Sequence, residues 1–159
     1  MRGSMSTSPS ASIGRRTVVL GLSAGACALV LAPKAAEATR AEADELIAKL
    51  AGGAKPQMDA RVKIKLPEIA ENGNTVPFTV SVDHPMVAGN SVTAIHVVAE
   101  GNPAPQVASF HFTPTGKAEV YARMRLAKTQ EVRAIAVLSD GTALEGRKEV
   151  KVTVGGCGG

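Results

Sequence analysis

The residue of this chain best placed for chemistry is Cys157, in the C-terminal sequence VTVGGCGG. It has two glycines on each side. Glycines offer a buried thiol no side chains to pack against, and they lose more conformational entropy on ordering than any other residue. Cys157 is therefore not predicted to be a core residue, and we expect an exposed thiol on a flexible segment.

Residues 1–38 have the features of an export signal. Arg15 and Arg16 precede an apolar run over residues 17–32, and the A-x-A cleavage pattern AEA ends at Ala38. The paired arginines are typical of the twin-arginine route. The apolar run is short and rich in Gly, Ala and Ser, which does not favour a permanent membrane span. We therefore predict a twin-arginine signal peptide on a periplasmic protein with no stable membrane anchor.

Cleavage after Ala38 would leave Cys157 as the only thiol, because Cys27 lies within the apolar run of the leader. An exported chain with one cysteine cannot form an internal disulfide, so its thiol either reacts or pairs with another chain. The sequence AGAC, which ends at Cys27, resembles a lipoprotein box only weakly. Ala24 stands where that box has a larger aliphatic residue.

Most of the positive charge belongs to the leader. Four of the 18 Lys and Arg residues and one of the 14 Asp and Glu residues lie in it, so the mature chain has 14 basic and 13 acidic residues and a net charge of +1. The chain also has only three Phe, one Tyr and no Trp to stack on bases. These features argue against a nucleic-acid partner.

A short helix is predicted over residues 39–53. The sequence TRAE, which begins at Thr39, has the form of a capping box, and apolar residues follow at helical spacing as far as Leu50. Gly52 and Gly53 then end the pattern.

Residues 54–154 show apolar side chains at alternate positions, with turn sequences such as ENGN, GNP and SDG between the segments. This pattern favours an all-β fold, an immunoglobulin-like antiparallel β-sandwich of about seven strands. The last strand is expected to anchor the tail through Val150, Val152 and Val154. The strands are expected near residues 61–66, 75–82, 92–99, 107–112, 117–126, 131–138 and 149–154.

The histidines do not form a recognisable metal motif. His84, His96 and His111 are separate on the predicted strands and loops, and a blue-copper site would need His and Met soon after Cys157, where only two glycines follow. The sequence has no G-x-S-x-G elbow, phosphate-binding glycine loop or carboxylate cluster at metal spacing. We predict no catalytic residue, no metal site and no cofactor.

The thiol itself is not activated by neighbours in the sequence. No Lys, Arg or His follows Lys151, so nothing nearby favours the thiolate of Cys157. An exposed and unactivated thiol is suited to modification by other enzymes. A carrier that holds its cargo on this sulfur fits an exported protein, because adenylation of a terminal Gly-Gly, as in ubiquitin-like sulfur carriers, requires ATP. The alternative is an exported structural or interaction module that uses the thiol for an intermolecular disulfide.

Several segments together resemble one family. The ending VKVTVGGCGG resembles the C-terminal signature of SoxY, the sulfur-carrying subunit of the Sox thiosulfate-oxidising system. The segments LPEIAENGNTVPFTVSVDHPM, GNPAPQVASFHF and ARMRLAKTQEVRAIAVLSDG are also similar to SoxY. The resemblance covers nearly the whole mature chain.

The resemblance implies a covalent sulfur carrier that is not an enzyme and binds no metal or haem. Sulfur intermediates would be held on Cys157, and Gly155, Gly156, Gly158 and Gly159 would form a flexible arm over residues 155–159. The implied partner is SoxZ, in a heterodimer. The enzymes that would act on the arm are the haem-containing SoxAX, the manganese hydrolase SoxB and, in many systems, the sulfur dehydrogenase SoxCD.

Overall fold

The computed structural model describes residues 40–156. The predicted leader and residues 157–159, including Cys157, lie outside the described residues. The helix α1 is Arg40–Leu50, and the strands are β1 Gln57–Met58, β2 Val62–Lys65, β3 Ile69–Ala70, β4 Val76–Val82, β5 Val92–Ala99, β6 Gln106–His111, β7 Glu119–Met124, β8 Gln130–Leu138 and β9 Ala143–Val152.

Two sheets form the sandwich that the sequence predicts. One has the strand order β1-β9-β8-β5-β6, with β3 also paired to β9, and the other has the order β2-β4-β7. The strands of four or more residues pair antiparallel throughout. One apolar core joins both sheets, and its largest fully buried side chains are Phe78, Ile95, Leu126, Val76, Val80, Val92, Val97, Val132 and Val150.

Two short strands depart from the predicted antiparallel pattern. β1 and β3, each two residues long, pair in parallel with opposite ends of β9. Their sequences are too short to show a period of two, so the alternation of apolar residues could not reveal them.

The last long strand begins earlier and ends earlier than predicted. It runs from Ala143 to Val152, whereas the sequence indicated residues 149–154. The first half of the strand breaks the apolar alternation because it contains Glu145 and Gly146, and a Cβ at Gly146 would lie 2.6 Å from the carbonyl oxygen of Val62. Val154 is 63% exposed and lies beyond the strand, so its predicted role as a sheet anchor is wrong.

Helix α1 covers the outer face of the larger sheet. Its acidic Glu42 lies in the first turn and its basic Lys49 in the last turn, an arrangement that complements the helix dipole. Gly52 and Gly53 follow the helix with φ angles of 65° and 88°, which glycine adopts most readily.

The helix packs on the sheet through a small apolar cluster, in which Ala43, Ile47 and Ala51 contact Val98, Ile135 and Ala143. Within residues 40–156, no helix has the length and apolar character needed to span a membrane.

A charged network also fixes the helix to this sheet. The side chain of Arg133 is only 5% exposed and donates hydrogen bonds to Glu145 at 2.5 Å, to Asp44 on α1 at 2.5 Å and to Glu100 at 3.1 Å. Burial disfavours the charged guanidinium, but the hydrogen bonds to Glu145 and Asp44 outweigh that cost and raise the pKa of Arg133. Arg147 donates a second bond to Glu145 at 2.8 Å.

The first prediction concerns this network. Arg133→Met should lower the free energy of unfolding by ~3 kcal/mol, because it leaves the carboxylate of Glu145 buried with one partner fewer. The double variant Arg133→Met/Glu145→Leu removes both buried charges and should recover most of that loss. Urea unfolding of the three proteins measures both effects. A double variant no more stable than Arg133→Met would show that the buried charge of Glu145 is not the cause.

Candidate functional site

The segment that leads to Cys157 is held first by the end of β9. β3 pairs with it through Ile69 opposite Lys151 and Ala70 opposite Val152. The amide of Thr153 then donates to the carbonyl of Ala70 at 3.1 Å, and its hydroxyl donates to the carbonyl of Glu71 at 2.8 Å. The chain is therefore fixed to the domain through Thr153, one residue past the strand.

Beyond Thr153, backbone groups of two loops hold the chain. The amide of Gly73 donates to the carbonyl of Val154 at 2.7 Å, and the amide of Gly156 donates to the carbonyl of Leu126 at 2.9 Å. A third bond joins the two loops, from the amide of Leu126 to the carbonyl of Gly73 at 2.8 Å. We call Gly73, Asn74, Leu126 and Ala127 the arm cradle.

The glycines of this region are required by close approach. A Cβ at Gly155 would lie 2.1 Å from the carbonyl oxygen of Ala127, and one at Gly156 would lie 2.4 Å from the carbonyl of Gly73. A Cβ at Gly73 would lie 2.3 Å from the carbonyl oxygen of Leu126 and 2.8 Å from the amide nitrogen of Gly156. Of the flexible arm predicted over residues 155–159, the structure describes Gly155 and Gly156, and these two glycines pack against the domain.

A buried polar pair supports one side of the arm cradle. Asn102 is 7% exposed, and its side-chain oxygen accepts hydrogen bonds from the amide of Ala127 and the side chain of Gln130, both at 2.9 Å. Its side-chain nitrogen donates to the carbonyl of Arg125 at 2.8 Å. Asn102 therefore holds the residues on both sides of Leu126, which are Arg125 and Ala127.

Sequence reasoning did not identify the arm cradle. It read the sequence ENGN, which contains Gly73, and the sequence GNP, which contains Asn102, only as turns. The one signal in the sequence was the glycine itself, which suggested a turn residue with a positive φ. In the structure Gly73 does not have a positive φ, so the reason for this glycine is its contacts. Its contacts with Leu126 and Gly156 join residues far apart in the sequence, which no local pattern records.

The sequence analysis placed the three histidines apart, but the structure brings the rings of His96 and His111 together and leaves only His84 elsewhere. Nδ1 of His96 lies 2.7 Å from the hydroxyl of Ser109, and its ring is 6.1 Å from that of His111. His84 instead lies beside Arg61, 3.3 Å from its guanidinium. Within the part of the chain that the structure describes, no group of three or more His, Cys, Asp or Glu side chains is arranged to hold a metal ion.

Burial changes the protonation of His96. The residue is 6% exposed, and burial, followed by the charge of His111, lowers the pKa of the His96 imidazole below its usual range. The folded protein therefore binds fewer protons at this site than the unfolded chain at mildly acidic pH.

The second prediction follows from this depressed pKa. As the pH falls below about 6.5, the unfolded chain takes up a proton that folded His96 resists, so the thermal midpoint should fall toward pH 5. His96→Gln should flatten this dependence, whereas His111→Gln should leave most of it, because burial is the larger cause. Thermal unfolding between pH 5 and 7.5 measures the slopes. Equal slopes in His96→Gln and the unsubstituted protein would refute this assignment.

Comparison with known proteins gives one family and one fold. A family model described as "Sulfur oxidation protein SoxY" matches residues 47–157. The solved structure of the sulfur carrier protein SoxY from Chlorobium limicola f thiosulfatophilum is 38% identical, with a TM-score of 0.60, and the alignment covers 69% of this chain and 90% of that chain. A search of curated proteins gave no match.

Superoxide reductases share the sandwich. That of Ignicoccus hospitalis is 29% identical, with a TM-score of 0.52, and the alignment covers 57% of this chain and 79% of that chain. A putative superoxide reductase from Thermotoga maritima is 16% identical, with a TM-score of 0.51, and covers 62% of this chain and 87% of that chain. At 16% identity the likeness shows the fold alone.

Proposed function

This chain belongs to the SoxY family of sulfur oxidation proteins, and from that premise we propose that Cys157 is the residue on which it carries sulfur. The role of the chain in sulfur oxidation is that of a sulfur carrier. The observation that carries the proposal is the extent of the family match, which includes Cys157 and leaves out Cys27, the other cysteine of the chain.

The glycines on both sides of Cys157 support its use as a cargo site. Without side chains beside it, the thiol can enter a narrow channel in another protein. The backbone of Gly156 is tied to Leu126, so the cargo is attached one residue beyond a fixed point of the domain. The protein is a carrier, and we propose that it has no catalysis of its own.

The substrate that we propose is thiosulfate. Joining Sγ of Cys157 to the outer sulfur of thiosulfate forms an S–S bond, releases the thiol proton and transfers two electrons to the haem-containing SoxAX. SoxB, a manganese hydrolase, would then break the bond to the sulfonate sulfur with water. That step releases sulfate and two protons and leaves a persulfide on the cysteine.

Further oxidation would follow the same route. Where the sulfur dehydrogenase SoxCD is present, it would take six electrons from the persulfide while three water molecules supply three oxygen atoms to the outer sulfur, which releases six protons and forms a sulfonate on that sulfur. A second hydrolysis then releases sulfate and returns the thiol of Cys157. Each step needs only that the sulfur attached to Cys157 reach the enzyme that acts next.

The partner of this family is SoxZ, and we propose that the two chains form a heterodimer. We also propose that it works in the periplasm after export by the twin-arginine pathway. The pair Arg15 and Arg16 ahead of an apolar run supports this location.

The third prediction tests the cargo site. In cells growing on thiosulfate, intact mass analysis should show sulfur adducts on the exported chain, and peptide mapping should locate them at Cys157. Cys157→Ser should lose both the adducts and thiosulfate oxidation, because a hydroxyl cannot form the S–S bond. Thermal unfolding should be unchanged, since the described contacts between the arm and the cradle are made by Val154, Gly155 and Gly156.

The matched control is Ser81→Ala, which removes a half-buried hydroxyl from β4 and leaves the thiol in place. It should retain the adducts. A Cys157→Ser protein that still carries sulfur, or that still supports normal oxidation, would overturn the proposal. An adduct that proves to be only a disulfide with another chain would favour the interaction-module alternative instead.

A further inference from the structure

We propose that the arm cradle is a docking site for the carrier arm, and that Gly73 is the residue that positions the arm in it. Docking holds the chain through Gly156, and release of the cradle lengthens the reach of Cys157. The proposal rests on the function proposed above, in which Cys157 holds the cargo, but the docking itself involves no sulfur chemistry.

The hydrogen bonds give Gly73 a bridging position. Its amide donates to the arm at Val154, and its carbonyl accepts from Leu126. The carbonyl of Leu126 then accepts from Gly156 on the arm. Both backbone groups of Gly73 are therefore used, one on the arm and one on the loop that receives the arm.

The steric contacts provide a second, independent observation. Gly73, Gly155 and Gly156 are not among the glycines with positive φ, so their backbone conformations do not require glycine. What requires it is space. A Cβ on Gly155 or Gly156 would lie within 2.4 Å of a backbone atom of the cradle, and one on Gly73 would lie 2.8 Å from the amide nitrogen of Gly156 on the arm and 2.3 Å from the carbonyl oxygen of Leu126 beside it. Glycines on both sides of the contact thus allow two backbones to meet without intervening side chains.

The docked state is suited to release. The side chain of Val154 is exposed, so leaving the cradle exposes little apolar surface. Two backbone hydrogen bonds hold the arm, and the entropy lost by ordering Gly155 and Gly156 opposes them. The docked state should therefore be favoured by only about ten- to a hundredfold in population, so that a partner that binds the released arm can shift the balance.

Release would change the distance that Cys157 can reach. While the arm is docked, Cys157 follows Gly156 by one peptide bond. Once released, Val154, Gly155 and Gly156 are added to the free length, and three residues extend the chain by at most roughly 10 Å. The cradle thus sets a short reach and a long reach for the same thiol.

The fourth prediction tests docking on the mature chain in its complex with SoxZ. Cys157 is the only thiol left after cleavage at Ala38, so a nitroxide methanethiosulfonate label attaches there without a substitution in this chain. The electron paramagnetic resonance spectrum should contain a component of restricted motion. Gly73→Ala should convert that component to fast motion, because the new methyl group would overlap the carbonyl of Leu126 and the amide of Gly156, which are hydrogen-bonded to each other.

A second variant separates arm release from damage to the fold. Gly155→Ala alters only the arm, and it should also produce the fast component while thermal unfolding stays unchanged. In the unlabelled protein, both variants should raise the hydrogen exchange rate of the Gly156 amide at least tenfold. Gly116→Ala is the matched control, since a Cβ there would meet no atom within 4 Å, and it should change neither measurement.

The outcomes distinguish this proposal from the carrier proposal. A purely fast spectrum in the unsubstituted complex would overturn docking and leave Cys157 as the cargo residue. Docking would also be overturned by a Gly73→Ala protein that loses thermal stability while its spectrum and the exchange rate of its Gly156 amide stay unchanged. A Cys157→Ser protein that still carries sulfur would overturn the carrier site and leave docking intact.

Discussion

The close approach of two backbones, at Gly73 and at Gly155-Gly156, is the constraint on which the functional end of this protein depends. Side chains cannot occupy this contact, so amide and carbonyl groups meet directly. Backbone bonds of this kind contribute about 0.5–1.5 kcal/mol each, and ordering one residue costs about 1–2 kcal/mol. The contact therefore positions the segment before Cys157 without fixing it permanently, which suits the carrier role of this chain.

The remainder of the fold supplies a rigid frame for this contact. β9 crosses the larger sheet and is paired on one side with β8 and on the other with β1 and β3, so its end cannot shift on its own. Asn102 fixes the loop that contains Leu126. The buried Arg133 network ties α1 to the outer face of the larger sheet. This rigidity keeps the start of the arm at a constant place in the domain.

The sequence was sufficient for the sandwich and the helix, and it singled out Cys157 as the cargo residue that we propose. Strands such as Val76–Val82 alternate apolar and polar residues, so their burial follows from period alone. The first half of β9 was missed because buried Glu145 imitates a surface residue, and its need for Arg133 is visible only in three dimensions. Gly73 was missed for a related reason: a glycine required by contact with a distant segment looks in sequence like any turn glycine.

The central claim is that the domain holds the carrier arm as far as Gly156, and nuclear magnetic resonance relaxation tests it most directly. The measurement is the heteronuclear Overhauser effect of the glycine amides in the unsubstituted mature chain bound to SoxZ. The account predicts values for Gly155 and Gly156 close to those of β9, and a sharp fall at Gly158 and Gly159. Uniformly low values from Gly155 onward would contradict it, because the arm would then be free from the end of the sheet.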